Sequence, residues 1–490
     1  MEKINFIENS KDYPANDIGI SKLFMDCFKD ELLFCSDSAV WYVWNKKYWQ
    51  KDSRDGGLRN EKVKTFAKWC NYSIATNNSI EDSAKQAYSK AFTKLYSKSY
   101  RDTILRDAES IYPVNSSIFD KDNNLFNCQN GTFDFTTNTF KDFDKNDYIT
   151  NISNITYDKN ADCPRFNQYL LEVMENNTNK IDYLLKMGAY GFTGNVHYDC
   201  FFIFYGAKTR NGKSTFVNQI FYMLGSYAGS LKPASVTRKQ LNSGGNSASP
   251  DLADVKDKRF VTVSEIENGM MLDIALIKSL TGKNPVKARF LYENDILFYP
   301  KFKLYFDTNF LPKMTDDTIF QSDRLQLIEF PRHFEQWERD LELAYKLKEE
   351  TSGIFNLIVT YYNNLKKEGF VIPNSSKETI ARYQLNSNNI LAYTTARLIK
   401  SPQTYLKSSE LYEDYKSWCE EEELKNLSKK NFKEEMLKFG ALYTGKERRN
   451  DLQGNNIPTY WVKGFNFANS AENYEQATLI EIKNSDSLPF

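Results

Sequence analysis

The chain has 490 residues, with 64 Lys and Arg against 64 Asp and Glu, so its formal net charge is zero. That balance excludes a polybasic protein that coats nucleic acid through bulk charge, but leaves room for local basic patches. Mean hydropathy is −0.60, and the longest apolar run, Cys200–Tyr205, is far too short to span a bilayer, so no membrane association and a cytoplasmic location are expected. The opening MEKINFIENSKDYP also lacks the basic-then-apolar layout of a signal peptide. This length accommodates roughly three domains, each with its own core. Seven scattered cysteines without a CxxC pair read as reduced core thiols, and only His197 and His333 are present, which disfavours a His-based metal centre or triad.

Residues 1–155 read as a mixed α/β domain. Val40-Trp41-Tyr42-Val43-Trp44-Asn45-Lys46-Lys47-Tyr48-Trp49 places apolar runs on either side of a polar centre, which predicts a β-hairpin. From Glu81 to Asp107 one helical stretch is expected, because Ala84, Tyr88, Ala91 and Leu95 recur at helical spacing. The segments around Leu125–Asp134 and Asn138–Phe140 are turn-rich β structure. Residues 156–335 begin with two helices between Cys163 and Gly194 and continue as alternating strands and helices, the pattern of an α/β ATPase sheet. Residues 336–389 read as a helical lid and linker, with Ser/Asn-rich joins after Pro373.

The strongest local signal is Phe201-Phe202-Ile203-Phe204-Tyr205-Gly206-Ala207-Lys208-Thr209-Arg210-Asn211-Gly212-Lys213-Ser214-Thr215. A buried strand enters a loop ending in Gly-Lys-Ser-Thr, and a helix runs on to Leu224 before Gly225 stops it. Backbone N–H groups of such a loop and the helix N-terminus converge on phosphate oxygens, so bulky side chains are excluded from the turn. Gly206, Ala207, Asn211, Gly212, Lys213, Ser214 and Thr215 are the candidate ATP-binding residues, although strict spacing puts Ala207, not Gly206, at the first small position. Lys213 would reach the β/γ-phosphates and Ser214 would ligate Mg²⁺.

About 50 residues later, Phe260-Val261-Thr262-Val263-Ser264-Glu265-Ile266-Glu267 is a β-run ending in carboxylates. One would hold Mg²⁺ and one would orient the attacking water. The usual Asp is absent, so Glu265 is the first choice for the metal role and Glu267 the second. Lys303–Pro312 is a further strand with Asn309 at its tip, placed to sense the γ-phosphate. Arg324 follows 15 residues on and could act in trans on a neighbouring subunit's phosphate, or pair with Asp323 or Glu329.

Residues 390–466 read as helix, helix and β-ribbon, a winged-helix layout. Ser409 and Ser428 are candidate helix caps, and Gly440 ends the second helix. Charge divides sharply: Glu410–Glu423 carries −6 and Lys425–Lys463 carries +5. Lys429, Lys430 and Lys433 fall on the expected recognition helix, and Lys446, Arg448 and Arg449 on the expected wing tip, which predicts duplex-DNA binding. Residues 467–490 read as a flexible acidic tail.

Taken in order, GAKTRNGKST, PDLADVKDKRFVTVSEIE, IKSLTGKNPVKARFLYE, KFKLYFDTNFLP and DRLQLIEF resemble the superfamily III helicases, most closely the branch of poxvirus, phage and plasmid primase-helicases. WYVWNKKYWQKD and NLFNCQNGTFDFTTNTF look like the N-terminal domain that accompanies that helicase in mobile elements. The resemblance implies an AAA+-like ring, usually a hexamer, with ATP and Mg²⁺ between subunits and Lys213, Ser214, Glu265, Asn309 and Arg324 at the ATP site. It also implies a pore hairpin that grips single-stranded DNA, here within Lys278–Arg289, with Lys283, Lys287 and Arg289 as phosphate contacts. From Lys278 to Lys303 the net charge is +4.

The expected function is therefore an ATP-dependent replicative DNA helicase moving 3′ to 5′ that recognises its own origin duplex, with a separately encoded primase as a partner. Its Lys- and Asn-rich composition is that of a phage, plasmid or pathogenicity island of a low-GC Gram-positive bacterium. A bifunctional helicase-primase and an origin-binding ATPase switch without unwinding are the alternatives.

Overall fold

The computed structural model describes residues 2–468 apart from 7, 10, 54, 78–80, 239–248, 291–294, 315, 317, 423 and 451–455. The tail expected at 467–490 therefore lies almost wholly outside the described residues, as does the tip of the C-terminal ribbon. The chain forms two compact units: residues 1–266, 275–310 and 328–373 make the first, and residues 267–274, 311–327 and 374–490 the second. Among the described residues no helix is long and apolar enough to cross a membrane. All seven cysteines are buried free thiols, as their spacing predicts.

Two hydrophobic clusters of the first unit are built from described residues. One gathers Phe24, Phe28, Val63, Phe66, Phe92 and Ile104 from the helices Asp17–Phe28, Gly57–Thr76, Asp82–Lys94 and Lys98–Ala108. Against it lies an antiparallel sheet of Leu32–Cys35, Val40–Trp44 and Trp49–Lys51, in which Trp44 faces Trp49 as the aromatic pattern predicts. The single helix expected from Glu81 to Asp107 is two helices. Tyr88, Ala91 and Leu95 are buried at the predicted spacing, but Ser97 is extended, and the Arg101 guanidinium takes up the carbonyls of Leu95 and Tyr96.

The second cluster includes the 125–141 segment, so the core divides between Ala108 and Leu125 and not at the expected residue 155. Strands Leu125–Asn127, Thr132–Asp134 and Thr139–Lys141 pack on the same core as the central sheet, where Phe126 stacks on Tyr227 and Phe355 with centroids 4.8 and 5.4 Å away. The expected lid also divides. Helices Leu343–Glu349 and Thr351–Glu368 bury Leu347, Phe355, Ile358 and Tyr362 in this core, whereas helix Asn374–Ser387 belongs to the second unit.

The central sheet has five strands: β1 (Phe201–Tyr205), β2 (Ala228–Leu231), β3 (Phe260–Ser264), β4 (Lys303–Thr308) and β5 (Leu325–Glu329), in spatial order 5-1-4-3-2. The pairs β1/β4, β3/β4 and β2/β3 are parallel. Phe201–Phe204 and Phe260–Val263 are buried throughout, as expected for parallel strands covered on both faces. Helix α1 (Lys213–Leu224) follows β1 and buries Phe216, Val217, Ile220 and Met223. Its end at Gly225, with φ of 55°, is where the sequence places it.

In the second unit, strands Leu398–Lys407, Leu442–Asn450 and Asn456–Phe467 form an antiparallel sheet with the last strand in the middle. Helices Asn389–Arg397, Ser408–Glu421 and Lys429–Lys438 enclose a core of Tyr393, Leu411, Tyr415, Trp418, Phe432 and Met436. The 398–407 strand is unexpected, because Pro402 disguises it. The proline sits on an edge strand where register shifts between Ser401 and Tyr405, which spares it a ladder hydrogen bond. Ser428 caps its helix by accepting from the Asn431 amide at 3.3 Å. Ser409 does not cap: its helix starts at Ser408, so Ser409 lies in the first turn.

Candidate nucleotide site and nucleic-acid surfaces

The loop after β1 is shaped by two glycines and an asparagine. Gly212 has φ of 83°, and a Cβ there would meet Val173 Cγ1 at 2.4 Å, so both backbone and space demand glycine. A Cβ at Gly206 would lie 1.8 Å from Asn211 Nδ2. That side chain, 5% exposed, braces the loop from inside: Nδ2 donates to the Lys208 carbonyl at 2.7 Å and Oδ1 accepts from the Lys213 amide at 3.2 Å. Outside the loop, the Phe334 amide donates to Arg210 O at 2.8 Å and the Tyr169 hydroxyl to Gly212 O at 2.8 Å. Ala207 is exposed and Thr215 half-buried. Beside the loop is a cavity of about 570 Å³ lined by Arg165, Tyr169, Arg210, Thr215 and Phe334 among others, within the size range of small-molecule sites.

Lys213 is buried, and its ammonium lies 2.6 Å from Asp307 Oδ1 and donates to Asn309 Oδ1 at 3.1 Å. The Ser214 hydroxyl donates to Asp307 Oδ2 at 3.0 Å. The structure thus joins three residues singled out from sequence, Lys213, Ser214 and Asn309, through a fourth that was not, Asp307. Its signal was available: an acid directly after the apolar run Leu304–Phe306, two residues before Asn309. These groups lie at the carboxyl ends of β1, β4 and β3, where open parallel sheets bind ligands. Register there is set by Thr308 opposite Tyr205 and Asp307 opposite Ser264.

Glu265 follows the end of β3. It is exposed, adopts φ of 63°, and makes no hydrogen bond or ion pair with the described residues. A left-handed conformation at a non-glycine residue costs energy and is more frequent at functional sites. Glu267 is exposed and falls in the second unit, as does Arg324, half-buried just before β5.

The expected pore hairpin is an antiparallel pair, Val286–Ala288 with Ile296–Phe298, following helix Ile274–Thr281. Residues 291–294, between the two strands, lie outside the described residues, and the pair extends further along than the Lys278–Arg289 segment taken from sequence. Lys283 is exposed before the first strand. Lys287 reaches Asp295 at 2.7 Å and Arg289 reaches it at 3.9 Å. Leu297 is exposed on the return strand and Tyr299 just beyond it. The segment's charge of +4 is not all available to a ligand. Lys303 is buried with its ammonium on the Thr193 carbonyl and over the Tyr190 ring, and Lys301 donates to the Asp120 carbonyl. Burial, and then the nearby Arg259 charge, push the Lys303 ammonium well below the usual lysine range.

In the second unit Lys429, Lys430 and Lys433 lie exposed on helix Lys429–Lys438, with Lys429 6.0 Å from the Tyr412 ring centroid and Lys433 5.0 Å from that of Tyr443. Lys446, Arg448 and Arg449 are on the ribbon strand, not at its tip. Register places Lys446 opposite Tyr460 and Arg448 opposite Pro458, so these four share one exposed face. Arg449 belongs to the other face, 3.9 Å over the Tyr405 ring and 2.7 Å from Glu447.

Three family profiles match successive stretches of the chain: D5 N terminal like over residues 21–175, a family of unknown function (DUF5906) over 204–324, and Poxvirus D5 protein-like over 385–474. A helicase-named protein of Acanthamoeba polyphaga mimivirus is 22% identical over 479 residues, covering 90% of this chain and 48% of that protein. A helicase-named protein of Sputnik virophage is 22% identical over 261 residues, covering 49% of this chain and 33% of its own. The chain therefore spans about half the length of the first relative and about a third of the second. Among solved structures, an A-form apo NrS-1 C-terminal region (305-718) aligns over 92% of this chain and 99% of its own, with TM-score 0.48 and 9% identity. A second A-form apo structure of that region aligns over 78% of each chain, with TM-score 0.46 and 11% identity. The chain is thus similar to D5-type proteins in its N- and C-terminal stretches and to helicase-named viral proteins over most of its length.

Proposed function

We propose that the chain is an ATP-dependent DNA helicase of superfamily III, built on an AAA+-like module, that assembles as a ring and carries its own origin-recognition domain in a mobile genetic element. The observation that carries this reading is the junction of Lys213, Ser214 and Asn309 at the ends of neighbouring parallel strands. A lysine and a tip asparagine held together beneath a glycine-shaped loop suit a γ-phosphate, and a hydroxyl against a carboxylate suits Mg²⁺. Ser214 would hold the ion with a carboxylate, and Glu265, exposed just past β3, is the candidate to orient water. Arg324 serves in trans in this reading, and a hexamer with single-stranded DNA in its pore, moved 3′ to 5′, follows the superfamily resemblance.

The 390–466 region is read as a winged helix: helix, strand, two helices and a two-stranded ribbon, with cations on the third helix and on one ribbon face. Two ribbon variants test it. Lys446→Ala and Arg448→Ala are each expected to weaken duplex-DNA binding and to lower the slope of log affinity against log salt by about 1. Arg449→Ala is expected to leave that slope unchanged, since its guanidinium already sits on Tyr405 and Glu447. Anisotropy titrations of a labelled duplex across a salt series measure both; an equal slope change at Arg449 would return it to the binding face.

Unwinding of a 3′-tailed fork by wild type and Lys213→Ala, with and without ATP, tests the whole reading. ATP hydrolysis without strand displacement would favour the assembly-switch alternative. The D5-type profiles also favour a second reading, a helicase-primase, which template-dependent primer synthesis by the purified chain would establish.

A further inference from the structure

We infer that Asp307, on β4, supplies the metal-side carboxylate of the nucleotide site in place of the acid that β3 lacks; this rests on the P-loop ATPase reading above. In P-loop enzymes the ion is held by the loop's Ser or Thr hydroxyl together with a carboxylate from a neighbouring strand. The last residue of β3 is Ser264, which cannot serve. The next, Glu265, lies beyond the strand in a left-handed conformation, exposed and unbonded to the described residues. Directly opposite Ser264 in the ladder is Asp307, and on its other side β4 pairs with the loop-bearing strand β1. The carboxylate has therefore moved one strand sideways, at the same level of the sheet.

Its two oxygens are divided as this role requires. Oδ2 accepts from Ser214 Oγ at 3.0 Å, the same hydroxyl that would bind the ion, and Oδ1 lies 2.6 Å from Lys213 Nζ. A carboxylate bonded to a metal-binding hydroxyl is within reach of the ion or of one of its waters, and Mg²⁺ is commonly held through one or two carboxylates with several waters retained. Charge balance points the same way. Asp307 is only 11% exposed, and Lys213 is its cationic partner. When phosphates draw the ammonium away, a buried carboxylate would be left uncompensated, which is costly. The divalent ion that arrives with the nucleotide restores the balance.

The test measures nucleotide binding rather than turnover. Full-length wild type, Asp307→Asn and Glu265→Gln are titrated with a fluorescent ATP analogue, once in excess Mg²⁺ and once in EDTA. Wild type is expected to bind more tightly with Mg²⁺. Asp307→Asn should lose about 10-fold or more of that gain, while its affinity in EDTA stays the same or rises because a negative charge has left the phosphate site. Glu265→Gln should keep the full gain. If Asp307→Asn kept the wild-type gain, or Glu265→Gln lost it, the inference would be overturned. The exchange Ser264→Asp with Asp307→Ser keeps a carboxylate at the same level and guards against loss of fold. It should regain most of the gain, and a folded exchange variant with none also counts against the inference. Wild type that binds no nucleotide in either buffer would instead defeat the ATPase reading beneath it.

Discussion

Replacing Lys213 with Ala is expected to reduce ATP turnover by about 10²–10³-fold, the scale for removing one group that stabilises developing charge. The ammonium is buried and held by Asp307 and Asn309 at the end of β4. Among the described residues, the loop's other cations, Lys208 and Arg210, lie on its exposed rim. Among the described residues, the substitution leaves the Asp307 side chain with the Ser214 hydroxyl alone, so stability should fall by about 1–3 kcal/mol, the cost of an unmade contact at a largely buried group. A phosphate-release assay and a thermal melt separate the two effects. Turnover retained in a folded Lys213→Ala protein would remove the loop from the proposed chemistry.

Arg259→Ala is expected to destabilise the first unit by about 2–6 kcal/mol, because two buried carbonyls lose their donors at about 1–3 kcal/mol each. The residue is 5% exposed at the start of the β3 segment, and its two Nη groups donate to the Phe192 and Leu125 carbonyls, each at 2.8 Å. Its guanidinium also lies 4.4 Å from the Tyr227 ring centroid, and desolvation lowers its proton affinity. Truncation would strand two buried carbonyls and leave a void beside Phe126 and Tyr227, releasing the 125–141 sheet from the central one. Urea denaturation measures the loss. Arg259→Lys should recover part of it, because one ammonium can reach one carbonyl but cannot span both. A loss below about 1 kcal/mol for Arg259→Ala would mean that water replaces the guanidinium at little cost.

The two expected results differ in how far the sequence foretells them. Lys213 lies in a motif whose chemistry is local: glycines that free the backbone, a helix N-terminus, and an apolar strand leading in, all within a short span of chain. Arg259 reads there as one more surface cation in Lys256-Asp257-Lys258-Arg259, and Lys303 as part of a basic hairpin. The +4 of the 278–303 segment counts Lys303 as charge available to DNA. Burial among Tyr227, Phe126, Tyr190 and the carbonyl of Thr193 makes both residues interior braces.

The same contrast runs through the fold. Strands β1, β3 and β4, helix α1, the Trp44–Trp49 hairpin and the Ser428 cap were legible because apolar periodicity and capping act over a few residues. The core division near residue 108, the partition of the 336–389 helices and the 398–407 strand were not, since each depends on which distant surface an element meets. Arg449 shows this at the scale of one side chain: its neighbour Arg448 has the same charge, and only the pleat and the Tyr405 ring separate their roles.

By itself, then, the sequence determined a glycine-bounded loop ending in Lys213-Ser214, the strands that accompany it in order, and two basic regions outside it. Tertiary structure alone decided that β4 inserts between β1 and β3, and with it that Asp307 stands opposite Ser264 and against Lys213 and Ser214. Local propensity sets where a strand runs, whereas its neighbours follow from long-range packing of buried faces, and strand order brings residues 94 positions apart to a single carboxylate.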